Sequence, residues 1–170
     1  MAPTIYEMLA SMANSMTSVS QLGMVFAYMT GLTMIIGALY KLRTYGDFRV
    51  MMMQGVDLKG PFGSIVFGTL LVWMPSALEM TSATLWGVGE PIGYDPAGGS
   101  VYDEGIAVAL SIVEFVGLIA FIRGLIIMGR VGQQSGQPGT LAKGLTHLVG
   151  GILAYHIGAT IDVIRNTFAI

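Results

Sequence analysis

The residues best able to do chemistry in this chain are two charges and two imidazoles in apolar surroundings: Glu114, Arg123, His147 and His156. A charged side chain at the centre of a bilayer costs about 2.5–3.5 kcal/mol, so Glu114 and Arg123 each need a partner, water or a path to a surface. They are nine positions apart. At about 100° per residue that spacing puts them on opposite faces of one helix and about 13 Å apart along it, out of reach of each other. Arg123 stands near the basic end of its stretch, where a long stem carries the charge toward headgroups. Glu114 sits deeper, at the depth expected for His156 on an antiparallel neighbour, and a Glu114 to His156 contact within or between subunits is the expected pairing. His147 and His156 are also nine apart, which excludes joint ligation of one metal from a single helix. Asp162 and Arg165, three apart, are read as a surface pair of little energetic weight. No Ser-His-Asp order, metal-ligand cluster or carboxylate pair at catalytic spacing is present, and the absence of cysteine removes thiolate chemistry. The expectation is a protein that is not an enzyme, with no catalytic residue, metal or cofactor.

The elements that must position these groups are apolar and long. Hydrophobic residues make up 54% of the 170-residue chain and charged residues 11%, against roughly a quarter charged in a soluble domain. Mean hydropathy is +0.71. Four stretches of spanning length are predicted, at residues 21–40, 62–80, 106–128 and 145–163, in a single polytopic domain. Pro75 is expected to kink the second stretch, or to end it near Met74 with the remainder along the interface; Trp73 and Trp86 are expected interfacial anchors. Residues 1–20 show Ile5, Met8, Leu9, Met12 and Met16 at helical spacing opposite Ser, Asn and Thr. That pattern predicts an amphipathic interfacial helix. Glu7 stands where a cleavable signal would carry basic charge.

Charge sets the orientation. Lys41, Arg43, Arg49 and Lys59 fall between the first and second stretches, Arg130 and Lys143 between the third and fourth, while the connection between the second and third carries Glu90, Asp95, Asp103 and Glu104 and no Lys or Arg. Basic connections stay in the cytoplasm, so the expected topology is multi-pass with both termini outside. The expected fold is therefore an all-α membrane protein of about four transmembrane helices arranged as two hairpins.

The halves also resemble each other. The segment LVWMPSALEMTSATLW from Leu71 aligns with AYHIGATIDVIRNTFA from Ala154, and Lys59-Gly60 corresponds roughly to Lys143-Gly144. Duplication of one hairpin accounts for this; so does the similarity that any two basic-turn hairpins share by composition. Gly117, Gly124, Gly150, Gly151 and Gly158 are the expected helix-packing positions, since small residues let membrane helices approach closely, and Gly150 with Gly151 is expected to favour a homo-oligomer. The 13 methionines read as adaptable packing.

At GPFGSIVFGTLLVWMP, at GLIAFIRGLIIMGR and above all at QPGTLAKGLTHLVGGILAYHI, the chain resembles the small IcmC/DotE family of Dot/Icm (type IVB) secretion and related conjugative-transfer membrane proteins. The resemblance implies a nonenzymatic subunit of a bacterial inner-membrane apparatus that moves effector protein, or DNA with attached protein, and whose partners are other subunits and membrane lipid. It also implies kinship with pilin-like helical hairpins that hold phospholipid in an extracellular assembly. Lys41, Arg43, Arg49 and Lys59 would then contact lipid phosphate, a partner or a lumen, beside their plainer role in setting topology. A small ion- or proton-coupled channel or transporter using Glu114 and His156 is the competing expectation.

Overall fold

The computed structural model describes residues 4–50, 58–87, 101–131 and 139–168. Most of the acidic connection, Gln137 and Pro138, and the side chains of Arg49, Asp103 and Glu104 lie outside the described residues. Within them all regular structure is helical: α1 (Ile5–Val50), α2 (Lys59–Val72), α3 (Met74–Trp86), α4 (Val101–Gly129), α5 (Thr140–Tyr155) and α6 (Ile157–Phe168).

Two segments, Ser15–Gly46 in α1 and Gly105–Gly129 in α4, are long and apolar enough to cross a bilayer. The pairs α2 with α3 and α5 with α6 raise that number to four if each is counted as one broken span. The chain is thus an all-helical, apolar-surfaced protein suited to a membrane. Its N-terminal 20 residues do not form a separate element. They continue into the first span as one 46-residue helix, begun by a reciprocal cap in which Thr4 N donates to Glu7 Oε2 at 2.9 Å.

The hairpins follow from glycine. An ideal Cβ on Gly31 would stand 2.6 Å from Gly68 O, and one on Gly151 would stand 2.5 Å from Phe121 N and 2.9 Å from Gly117 O. These distances are well inside contact, so α1 meets α2, and α4 meets α5, backbone to backbone. Gly124 faces Gly144 and Leu148 whereas Gly117 faces Gly151 and Tyr155, which makes α4 and α5 antiparallel. Between hairpins, Gly23 faces Leu118 and Gly129 faces Met34, so α1 and α4 run parallel. The apolar core lies where they meet, around Ala27, Leu71, Met74, Leu118, Phe121 and Leu125.

Both return helices are broken. α2 and α3 meet at 86° across Trp73, α5 and α6 at 85° across His156. The first break lies at Trp73, beside Met74 and two residues before Pro75, which has no N–H to bond back and crowds the carbonyl of Leu71. The second falls inside the stretch expected over residues 145–163, which contains no proline and gives no local sign of a break. Here Gly158 occupies the place of Pro75. The Thr160 hydroxyl lies 3.0 Å from Leu153 O and 2.9 Å from His156 O; His156 O already accepts the Thr160 N–H, so the carbonyl at the bend that gains a donor is Leu153 O.

The hairpins repeat one another in detail. Trp73 and His156, the two break residues, occupy matched positions in the expected alignment and have near-equal backbone angles, φ −101° and ψ 30° against φ −104° and ψ 46°. Gly31 packs on Gly68, Leu71 and Val72; Gly117 packs on Gly151, Ala154 and Tyr155, the aligned residues. This correspondence corrects one detail: Gly144 matches Pro61, so the Lys-Gly pairs are one residue out of register.

If backbone contact holds each hairpin together, Gly117→Leu should lower the detergent melting temperature, with overpacking costing about 1–3 kcal/mol or more. Gly37→Leu should leave it unchanged, because a side chain there meets nothing within 4 Å. Circular dichroism melts of the two variants check this.

Candidate functional site

Near the middle of α4 the bundle opens into a cavity of about 360 Å³, lined by Met16, Thr17, Ser20, Gln21 and Met24 of α1, Ser111 and Glu114 of α4, and Tyr155 of α5. Each helix delivers its polar groups for a simple reason. Ser111 and Glu114 are three apart and share a face; Thr17, Ser20, Gln21 and Met24 form the matching stripe on α1. Tyr155 is placed by the break that follows it. Within the cavity a half-buried carboxyl group meets hydroxyls and an amide, an arrangement able to hold water, a proton or a small cation.

The expected partner of Glu114 lies elsewhere. His156 is 2% exposed, with the Trp86 ring centroid at 5.1 Å and the Tyr155 ring edge-on at 4.9 Å. Neither ring nitrogen has a hydrogen-bond partner, although the Leu78 main chain approaches the ring without reaching bonding geometry. A Glu114–His156 hydrogen bond within the chain is therefore not formed. The reason is the break: His156 leaves the α5 face that meets α4 and turns under α3, while Tyr155, one position earlier, takes the place beside Glu114.

The other expected sites are dispersed. Arg123 is exposed. His147 Nδ1 lies 2.8 Å from Lys143 O, and since a carbonyl only accepts, that nitrogen carries the proton. Gly117, Gly124 and Gly151 pack on neighbouring helices, and Gly158 is half-buried just past the break. Gly150 differs from its neighbour: a side chain there meets nothing within 4 Å. Lys41, Arg43, Lys59, Arg130 and Lys143 are exposed, and the parallel hairpins gather them at one end of the bundle. Asp162 and Arg165 are both exposed on α6. Among the described residues no group of three His, Cys, Asp or Glu side chains could hold a metal ion.

A second opening escaped the sequence reading. Met80, Thr81, Thr84 and Leu85 of α3 and Val149, Ile152 and Leu153 of α5 line an apolar groove of about 500 Å³. Thr81 and Thr84 turn their hydroxyls to Ala77 O and Met80 O at 2.6 and 2.7 Å, leaving their methyl groups to face the groove. Its dimensions and lining suit a hydrocarbon chain. Only the right-angle turn of α3 over α5 creates it, which no local pattern signals.

No protein-family profile, curated protein or solved structure matches this chain.

The unpartnered imidazole gives a direct expectation. His156→Phe should keep or raise the melting temperature, since the ring stays among aromatics and no hydrogen bond is lost, whereas His156→Asp should lower it by burying a charge. Thermal melts in one detergent check both.

Proposed function

We propose that this chain is a nonenzymatic structural subunit of a type IV, IVB-like secretion or conjugation apparatus, packing as an oligomer in a bacterial inner membrane to help form the path for protein or protein-bound DNA. The observation that carries this reading is a doubled, glycine-welded hairpin with its cations at one end. The resemblance at QPGTLAKGLTHLVGG supports it, for the described part of that motif starts α5 and supplies Gly144 and Gly151 to the α4 contact. Lys41, Arg43, Arg49 and Lys59 then face the cytoplasm, where they meet lipid phosphate, cargo or other subunits. The groove between α3 and α5 takes one acyl chain of a retained phospholipid. Both termini face outward; assembly into an extracellular pilus-like polymer is the variant of this reading in which the same subunit leaves the membrane.

Removing the gene from the bacterium that carries it should abolish delivery of a reporter-tagged cargo to recipient cells while growth continues, and restoring it should recover delivery. Unimpaired delivery would overturn the assignment. Orientation has its own readout, because the chain lacks cysteine. A membrane-impermeant thiol reagent applied to whole cells should label Tyr102→Cys, at a residue 85% exposed, and spare Leu58→Cys until the cells are opened.

The cavity around Glu114 favours a second reading, a small proton- or cation-conducting protein. That reading requires flux into vesicles holding this protein alone and loss of flux in Glu114→Gln. The assembly reading expects no flux from the isolated protein.

A further inference from the structure

The contact between the two hairpins is not reciprocal, and that asymmetry identifies a surface. A closed twofold relation between repeats would require α1 to pack on α5 wherever α2 packs on α4. In the structure α2 packs along α4, while α1 and α5 barely touch. The first repeat therefore uses one face, built on Gly23, Ala27, Ser64, Leu71 and Leu78. The second uses a different one, built on Phe115, Leu118, Leu125, Gly129 and the His156 break. Ser64 Oγ donates to Gly129 O at 2.8 Å across this junction.

Each repeat also carries the face that only its counterpart uses. Burial at matched positions shows this consistently. Ala27 is 0% exposed but Val113, its equivalent, 37%; Leu78 is 2% exposed and Ile161 36%. In the opposite direction, Leu125 is 2% exposed and Leu39 55%, and His156, covered by Trp86 of α3, is 2% exposed while Trp73 is 69%. By contrast Leu58, Phe62 and Leu70 match Leu141, Leu145 and Leu153, and all six are exposed, as expected of a shared lipid-facing stripe.

We propose that a second copy of this chain covers these open faces by repeating the internal junction: Val113, His147, Gly150 and Ile161 of one copy dock against Met29, Ile36, Leu39 and Arg43 of the next, whose Trp73 lies under the first copy's α6. The occupant is a copy of this chain because the contact continues one the chain already makes between its own halves. Such a head-to-tail contact uses two different surfaces, so it builds a ring if the rotation closes and a filament if it does not. Bare Gly150 is explained as well. It occupies the position of half-buried Phe67, and the α1 residue facing it carries the Arg43 side chain where α4 has Gly129. The inference rests on the assembling-subunit reading and adds which surfaces meet.

The internal junction supplies the test. A Cβ on Gly129 would stand 3.4 Å from Phe67 Cβ, close to the roughly 3.5–4.5 Å between the Cβ atoms of a disulfide. The equivalent pair between copies is Arg43 and Gly150. Full-length Arg43→Cys and Gly150→Cys chains, co-expressed in native membranes and oxidised with a membrane-permeant catalyst, should form a covalent heterodimer, and the double variant should form a ladder. A disulfide within one chain does not account for it, since a Cβ at Gly150 meets nothing of its own chain within 4 Å and α1, which carries Arg43, barely touches α5. Adding Leu39→Trp, at a residue 55% exposed on the docking face, to the double variant should abolish the ladder at an unchanged melting temperature, with Gly37→Leu retaining it. Predominant Gly150→Cys self-linking, or a native oligomer that never links these positions, would overturn the docking and leave assembly standing. A protein that is monomeric in native membranes would overturn both.

Discussion

The close approach of helix backbones at glycine holds this protein together. Between helices in lipid there is no hydrophobic drive, because the tails are as apolar as the side chains; association comes from van der Waals packing, which strengthens as backbones near each other. Gly31 against Gly68 and Gly117 against Gly151 bring each helix pair into such contact. Large apolar side chains are left to face outward, and many do so at 40–70% exposure. In water that distribution would be unstable. In hydrocarbon it is the expected one.

From those welds the remaining architecture follows. A 14-residue α2 and a 16-residue α5 rise only about 21 and 24 Å at 1.5 Å per residue, less than the ~30 Å of a bilayer core. Each then turns through a near right angle into a short arm, α3 or α6. The turn frees Leu153 O, which the Thr160 hydroxyl satisfies in one repeat, and proline removes an N–H in the other. One geometry is thus reached by two chemistries, which argues that the bend itself is what both repeats retain. The arms and breaks in turn create the features that look functional: α3 closes the apolar groove and shields His156, and the break that follows Tyr155 leaves that residue on the Glu114 cavity.

The sequence made much of this legible, but unevenly. Helical class, the apolar stretches, the one-sided cations and the alignment of Leu71 with Ala154 were all readable, because apolar length and charge placement are direct physical constraints of a bilayer. Pro75 announced one break. The break at His156 carried no such mark, and only the repeat could have transferred it from Trp73. Gly150 and Gly151 looked equivalent, since spacing alone does not reveal which of two adjacent glycines faces the partner helix. Glu114 stands out in the sequence as a charge in an apolar stretch and is half-buried in the structure; depth arithmetic assumes an unbroken α5 and so points to His156, whereas the break leaves Tyr155 on the Glu114 cavity. Ser111, Gln21 and Thr17 were missed because small polar residues on a helix face are common and become a site only when two helices converge.

The breaks set α3 and α6 nearly perpendicular to α2 and α5, so with α2 and α5 along the bilayer normal the central claim is that α3 and α6 run across it. Spin labels placed one at a time at Phe62, Val66 and Leu70 on α2, and at Met80, Thr84 and Leu85 on α3, would report depth in bilayers through their collision rates with oxygen and with a water-soluble paramagnetic ion. Depth should change by about 5.4 Å per turn along α2 and then stay level from Met80 to Leu85. A depth that continues to change steadily through α3 would mean straight spans and would contradict the account.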